Sequence, residues 1–251
     1  MKKNKIVAFV PARSTSKRIA DKNIRLLGKH PLLAYTICSA IQSGIFDKVL
    51  CATDNEQYAK IAKYYGAEVP ALRPENISGD KSSDVEWVTW LISILAEKNE
   101  HYDAFSILRP TSPFRLPETI QRAWNKFSSI KHADSLRAVQ KTKQHPGKMW
   151  IVNGDRMNPI MPFMNGTSPW HSSQYAALPE IYIQDASLEI AWTNTLLEQN
   201  SISGNVIVPF ISRNMEGFDI NEPEDWILAE HYIKTDASLL TDIKIKPFNS
   251  L

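Results

Sequence analysis

Cysteine is almost missing from this chain. Its 251 residues include two, Cys38 and Cys51, in unrelated contexts. That implies neither a disulfide framework nor a zinc site, and a reducing cytoplasm is the expected compartment. No apolar run approaches the ~18 residues that a membrane helix needs, so no membrane span is expected. The basic start, Met1-Lys2-Lys3-Asn4-Lys5, precedes only five apolar residues, Ile6–Val10, before Pro11. A signal-peptide core needs roughly 7–15, and Ile6–Val10 is instead expected to be a first buried strand. Charge of one sign is not in excess: 29 basic residues face 27 acidic ones, for a net +2. Nucleic-acid partners require a clustered basic surplus and are not expected. Gly-x-Gly-x-x-Gly and Gly-x-x-x-x-Gly-Lys-Ser/Thr are both missing, so the familiar dinucleotide and P-loop fingerprints do not apply. No repeat or low-complexity segment stands out.

What is present is an ordinary globular composition, 43% hydrophobic and 22% charged. The length suits one large α/β domain, with or without a small appendage. Ile6–Val10 is continuously apolar, as a strand covered on both faces should be. Pro31 opens a helical stretch with Leu32, Leu33, Thr36, Ile37, Ala40 and Ile41 at helical spacing, stopped at Gly44. Lys48–Ala52 predicts a second strand, and Thr53-Asp54 leads into a helix over 56–65 closed by Gly66. Further helices are predicted from about Ser83 to Asn99 and from Pro117 to about Phe127. Strands are predicted at 103–108, 133–139, 188–192 and 205–210, and a last helix at 223–233. This alternation specifies a three-layer α/β fold with a mostly parallel sheet. Ligands of such sheets bind beyond the carboxyl ends of the strands. There the chain places Pro11–Asn23, Thr53-Asp54 and Arg109–Arg115, all rich in polar groups.

The alternation breaks over 145–182. His145-Pro146, Asn158-Pro159, Met161-Pro162, Ser168-Pro169-Trp170 and Leu178-Pro179 interrupt it, with several aromatics and little helical period. A long irregular insert in a compact domain is usually functional. It is expected to be an arm that packs on a partner subunit or covers the site, and Trp150 and Trp170 suit an interface. The tail from about 235 to 251 carries no clear signal.

The first strand runs straight into Val10-Pro11-Ala12-Arg13-Ser14-Thr15-Ser16-Lys17-Arg18. Forked guanidinium, ammonium and hydroxyl donors at a strand end are what a phosphate requires. A solvated basic loop is the competing reading of the charge alone.

Wider motifs favour the phosphate. Pro11-Ala12-Arg13-x-x-Ser16-Lys17-x-Ile19-x-x-Lys22-Asn23 resembles the first signature of the sugar-acid cytidylyltransferases. These are the CMP-N-acylneuraminate synthetases and, more distantly, the CMP-Kdo synthetases. The likeness continues in order through Gly28-Lys29-x-Pro31-Leu32-Leu33-Ala34-Tyr35-Thr36, Ala52-Thr53-Asp54, Tyr65-Gly66-Ala67-Glu68-Val69 and Arg73-Pro74. It extends through Asp80-x-Ser82-Ser83, Pro110-Thr111-Ser112-Pro113-x-Arg115, His145-Pro146-x-Lys148-Met149-Trp150 and Asp219-Ile220-x-x-x-x-Asp225-Trp226, covering roughly residues 5–233. The resemblance implies a Rossmann-like nucleotidyltransferase fold in a single domain over 1–251, with 145–182 as a dimerisation or acceptor-site arm, and a homodimer. It implies an Mg²⁺-dependent reaction of CTP with a sugar acid, a nonulosonic acid by preference, giving CMP-sugar and pyrophosphate. Arg13, Ser16 and Lys17 would cradle the triphosphate beside Ala12, and Lys22 and Asn23 would support the loop and the cytidine. Arg73 and Ser82 match positions near the nucleotide. Asp219 matches a magnesium-binding carboxylate, and Arg13, Lys17 and Asp219 are the candidate catalytic residues. Arg109, Thr111, Ser112, Gln184 and Glu189 are the candidate acceptor-binding residues.

Departures cluster on the metal and acceptor side. Ser14-Thr15 stands where the family usually carries two glycines, which allow close backbone approach and positive φ. Asp219-Ile220-Asn221 replaces Asp-Ile-Asp and loses one formal charge. Arg109 stands in place of the usual Gln before Pro110 and can clamp a carboxylate or phosphate bidentately. Gln184-Asp185-Ala186-Ser187 replaces Asn-Gly-Ala. Two alternatives therefore stay open: another nucleotide or a sugar 1-phosphate acceptor, or a nucleotide-binding module without catalysis. His145 is either a general base or structural. Glu189 is either an acceptor-site carboxylate or an outward strand residue, and Asp54 either a nucleotide contact or a turn cap. Glu224 and Asp225 are read as first-turn helix charges.

Overall fold

The computed structural model describes residues 4–161 and 168–248. The basic start at Met1–Lys3, Pro162 of the Met161-Pro162 pair, and tail residues Asn249–Leu251 lie outside the described residues. The chain forms two compact units: Met1–Ala138 with Asp185–Leu251, and the smaller Val139–Gln184.

The elements run β1 (Ile6–Pro11), β2 (Leu26–Leu27), β3 (His30–Pro31), α1 (Leu32–Gln42), β4 (Lys48–Ala52), α2 (Glu56–Tyr64), α3 (Asp84–Glu97) and β5 (Ala104–Ile107). They continue with α4 (Pro117–Ser129), β6 (Ser135–Lys141), β7 (Trp150–Asn153), β8 (Arg156–Pro159), β9 (Tyr182–Trp192), α5 (Thr193–Gln199), β10 (Ile207–Ile211) and α6 (Pro223–Thr235). Six strands form the central sheet in the order β10-β6-β9-β5-β1-β4. β1 runs parallel to β4 and β5, and β9 runs antiparallel to β5.

Strand alternation builds three layers. On β1, Ala8 and Val10 join a core with Leu33 and Ile37 of α1, Tyr58 and Ile61 of α2, and Ile120 and Phe127 of α4. Val7 and Phe9 face the other way, with Trp87, Val88 and Leu91 of α3 and Leu196 of α5. Side chains successive along a strand point to opposite faces, so one all-apolar strand serves both cores. A third cluster packs Trp226 and Ala229 of α6 on Ile19, Leu27 and Leu32.

Local chemistry sets the helix ends. α3 starts in a capping box: Ser83 accepts from the Glu86 N–H, and the Glu86 carboxylate accepts from the Ser83 N–H. Asn55 caps α2, and Gly66, with φ +97°, ends it in the left-handed region that favours glycine. The predicted strands and helices of the larger unit appear within a few residues of their expected bounds. The short strands β2 and β3 and the helix α5 are additional.

The smaller unit is more regular than its proline content suggests. β7 and β8 pair antiparallel, with Asn153 opposite Arg156. Gly154, at φ +60°, opens the two-residue turn and suits a type II′ hairpin. β9 begins at Tyr182, six residues before the predicted strand. The tail also has structure: a 3-10 turn at Ala237–Leu239, with Leu239, Leu240 and Ile243 packed against the α6 cluster.

Phe127 is fully buried, its ring 4.8 Å from that of Trp192. Phe127→Ala should therefore destabilise the protein by about 3–5 kcal/mol through cavity formation. Urea denaturation should show a lower midpoint at unchanged slope.

Candidate active site

The loop after β1 is tied down from several sides. Its Ala12 N–H donates to the Ala52 carbonyl at 2.9 Å. Ser14 donates to Asp54 twice, from its backbone N–H at 2.8 Å and its hydroxyl at 3.0 Å. Asn23 Nδ2 donates to the Arg13 carbonyl at 3.0 Å, closing the far end of the loop onto its start. Asp54 is thus a support for the loop, consistent with the turn-capping reading. Neither Ser14 nor Thr15 has a positive φ, so the loop follows its path without the conformational freedom of glycine.

This loop forms one wall of a cavity of about 530 Å³. Arg13, Ser16, Lys17, Lys22 and Asn23 line it together with Arg73, Ser82, Arg109 and Thr111. Nine of the expected site residues therefore meet in one place. A basic surplus in a concave, polar space is suited to a polyanion. Lys17 pairs with Asp80 at 2.5 Å, and Arg13 lies 3.7 Å from the same carboxylate. Lys17 holds Asp80 below the usual carboxylate range. Arg13 also donates to the Gly79 carbonyl at 2.6 Å and that of Ser78 at 3.2 Å. Arg73 is buried, donates to the Ile77 carbonyl at 2.7 Å, and lies 5.5 Å from the centre of the Trp87 ring. Burial first, and the charge of Arg13 second, push it down to about 10, still protonated at neutral pH. Asp80, Asp84 and Trp87 line the cavity too and were not singled out from sequence. Asp80 stands in a quoted motif, which was the available signal.

Lys22 is buried and donates to the Ile220 carbonyl at 2.7 Å. Burial lowers its pKa, and Asp219 opposes that shift. Asp219 is a neighbour of this lysine and does not line the cavity. Its Oδ2 accepts from Asn221 Nδ2 at 2.5 Å, whereas Oδ1 is buried without a hydrogen-bond partner. Among the described residues no cluster of three or more His, Cys, Asp or Glu could hold a metal. The carboxylates that do line the cavity are those of Asp80 and Asp84, the first paired with Lys17 and the second with Arg109.

Other expected residues sit elsewhere. Ala12 and Ser112 are fully buried and off the cavity wall, and the Ser112 hydroxyl has no partner. Gln184 is exposed and belongs to the smaller unit. Glu189 is 3% exposed, so the outward-strand reading is overturned: it forms ion pairs with Arg109 and Arg137. Arg137 escaped notice, although a cation between Leu136 and Ala138 in a predicted strand was a visible signal. Arg109 is already committed, its Nη2 2.5 Å from Asp84 Oδ2, so its fork is not free to clamp an anion bidentately.

His145 is buried inside the smaller unit. Its Nδ1 accepts from the Gly147 N–H at 2.9 Å, which leaves Nε2 to donate to the Pro179 carbonyl at 3.1 Å. Its ring stacks on Trp170 at 5.8 Å. Both nitrogens are used, which favours the structural reading over a general base. Asp225 accepts from the N–H groups of Asn221 and Glu222, at 2.9 and 2.8 Å, as a first-turn cap should.

Comparison with known proteins agrees with this geometry. The cytidylyltransferase family pattern matches residues 7–145, more than half of the chain. The CMP-N,N'-diacetyllegionaminic acid synthase of Legionella pneumophila is 32% identical over 238 residues, covering 94% of this chain and 99% of that protein. An N-acylneuraminate cytidylyltransferase of Escherichia coli is 40% identical over 142 residues, which cover 57% of this chain and 33% of that protein. The solved CMP:2-keto-3-deoxy-manno-octonic acid synthetase complexed with CTP superimposes with a TM-score of 0.66 at 14% identity, over 92% of this chain and 99% of that one. With the loop, the cavity and the sheet topology in agreement, the chain belongs to the cytidylyltransferase family.

Proposed function

We propose that this protein transfers the cytidylyl group of CTP to a hydroxyl of a nonulosonic acid, releasing pyrophosphate. The observation that carries the proposal is the basic cavity after β1, found in a chain alike along nearly its whole length to a CMP-nonulosonic acid synthase. In the reaction the acceptor oxygen bonds to the α-phosphorus, the bond to the β-phosphate oxygen breaks, and the hydroxyl proton is lost. Negative charge grows on the non-bridging oxygens and on the departing pyrophosphate. Arg13 and Lys17 oppose that charge, Ser16 offers a hydroxyl donor, and Lys22, Asn23 and Asp54 hold the loop in place. Such fixed donors act without reorganising during the reaction. To reach phosphate, Lys17 must leave Asp80, an exposed partner whose attraction solvent and salt screen.

Asp219, coupled electrostatically to Lys22 but off the cavity wall, is the carboxylate proposed to hold Mg²⁺. The buried, unpartnered Asp219 Oδ1 is an oxygen left for it. Mg²⁺ keeps several waters and takes one or two carboxylates plus substrate phosphates. When bound, it neutralises triphosphate charge; Asp219 would hold it, and Asn221 orients that carboxylate.

The smaller unit supports a homodimer. Ile151, Val152, Met157, Ile160 and Ile183 are exposed on it, more apolar surface than a solvated hairpin requires. A working location in the cytoplasm accords with the two free, buried cysteines.

Three outcomes are expected. Lys17→Ala and Arg13→Ala should each lower kcat by ~10²–10³, the value of a donor that acts on transition-state charge. Pyrophosphate release over four nucleoside triphosphates and a panel of sugar acids measures this, and wild-type turnover in either variant would remove the loop from the chemistry. Asp219→Asn should nearly abolish turnover, while Asn221→Asp should lower the Mg²⁺ concentration needed; an Mg²⁺ titration of all three proteins decides. Sedimentation equilibrium should show a dimer, and a concentration-independent monomer refutes it.

A further inference from the structure

Among the described residues, two carboxylates line the cavity, and they face different cations. Asp84 answers Arg109, whereas Asp80 answers the loop after β1. The segment that carries Asp80 is fixed on both sides. Arg73 donates to the Ile77 carbonyl at 2.7 Å on one side, and the Ser83 capping box of α3 follows on the other. Between them the Ser82 N–H donates to the Gly79 carbonyl at 3.2 Å, closing a turn with Asp80 at its second position.

The two loop cations are held in different ways. Arg13 donates to the Ser78 and Gly79 carbonyls of this segment, and its Nη1 lies 3.7 Å from Asp80 Oδ1. Those neutral carbonyls anchor it whether or not the carboxylate is charged. Lys17 has no partner but Asp80 among the described residues, with Nζ 2.5 Å from Oδ2. Its side chain is 78% exposed and can swing to another acceptor. Asp80 thus sets one oxygen against each of the two cations that the transfer reaction assigns to the triphosphate. It makes no other ion pair among the described residues.

Charge gives this carboxylate a task. Like a phosphate, it offers several oxygens that accept from ammonium and guanidinium groups. Cations left without a counter-charge would hold the departing pyrophosphate as firmly as the arriving triphosphate. Binding that is equal before and after transfer does not speed the chemical step. It does slow release, which limits turnover in many enzymes. An exposed carboxylate is displaced by a more highly charged anion and returns when that anion leaves.

We propose that Asp80 is a positioning residue that competes with phosphate for Lys17 and Arg13. It yields them to the arriving triphosphate and reclaims them as pyrophosphate departs. It acts through the two cations and does not touch the reacting atoms. The inference rests on the transfer reaction proposed above and deepens it at the release step.

The test is calorimetric titration of wild type, Asp80→Asn and Asp80→Glu with inorganic pyrophosphate, in low-salt buffer without Mg²⁺. Asp80→Asn should bind it about threefold more tightly than wild type, the scale of one exposed charge contact. Asp80→Glu keeps the charge and should stay within about twofold of wild type. In steady-state assays with CTP and a sugar acid, Asp80→Asn should lower the CTP KM and strengthen inhibition by pyrophosphate, with the acceptor KM unchanged. A purely structural role predicts weaker binding instead. Equal or weaker pyrophosphate affinity in Asp80→Asn therefore overturns the inference, as does an equal gain in Asp80→Glu. Affinity lost by Asp80→Asn when Mg²⁺ is added makes Asp80 a metal ligand and overturns it too. Should Asp80→Asn fail to fold, Asp80→Ser removes the same charge and takes its place. If wild type binds no pyrophosphate in either buffer, the loop is no phosphate site; the proposed reaction then falls first, and this inference with it.

Discussion

A single buried guanidinium organises the carboxyl edge of the sheet. Arg115 is 1% exposed, and burial pushes it down to about 9. It donates to Thr36 Oγ1 on α1 at 2.9 Å, to the Arg109 carbonyl at 3.3 Å, and to the Ser187 carbonyl on β9. Its own carbonyl accepts from Ser39 Oγ at 2.7 Å. A charge withdrawn from water is tolerated only when its geometry is held closely. Here that requirement welds α1, the Arg109–Arg115 loop and β9 into one frame. The loop that bears Arg109 and Thr111 inherits its position from this tie.

On that frame the β1 side of the cavity carries Arg13 and Lys17 on a loop tied to Ala52, Asp54 and Asn23. Arg13 and Lys17 rest on Asp80, an exposed partner that competes weakly with phosphate. Beside β5 the cavity wall is Arg109, Pro110 and Thr111, and the buried Glu189 carboxylate that pairs with Arg109 lies off that wall.

Much of the fold was legible. β1 reads as a strand because five apolar residues without period need cover on both faces, and both cores confirm it. α2 and α3 end where Asn55, Gly66 and Ser83 say they must, since caps are local chemistry. The β7–β8 hairpin was hidden because prolines on either side obscured a short alternation, and one glycine turn decided it. The ordered tail was hidden because its apolar residues gain meaning only against α6.

For the site, the sequence by itself placed a run of cations and hydroxyls at the carboxyl end of the first strand. Cations and hydroxyls directly after a buried strand can lie only at its carboxyl end, so Arg13, Ser16 and Lys17 follow from chain order alone. Tertiary structure decided everything that depends on partners distant in sequence. Glu189 and Arg109 are 80 positions apart, and their pairing needs β5 and β9 side by side. Whether Arg109 is a free fork or a committed one, and whether Glu189 faces water or the sheet, is a matter of strand register and burial. Neither is encoded in the spacing of the residues themselves, because a period of two gives the face of a strand but not what covers it.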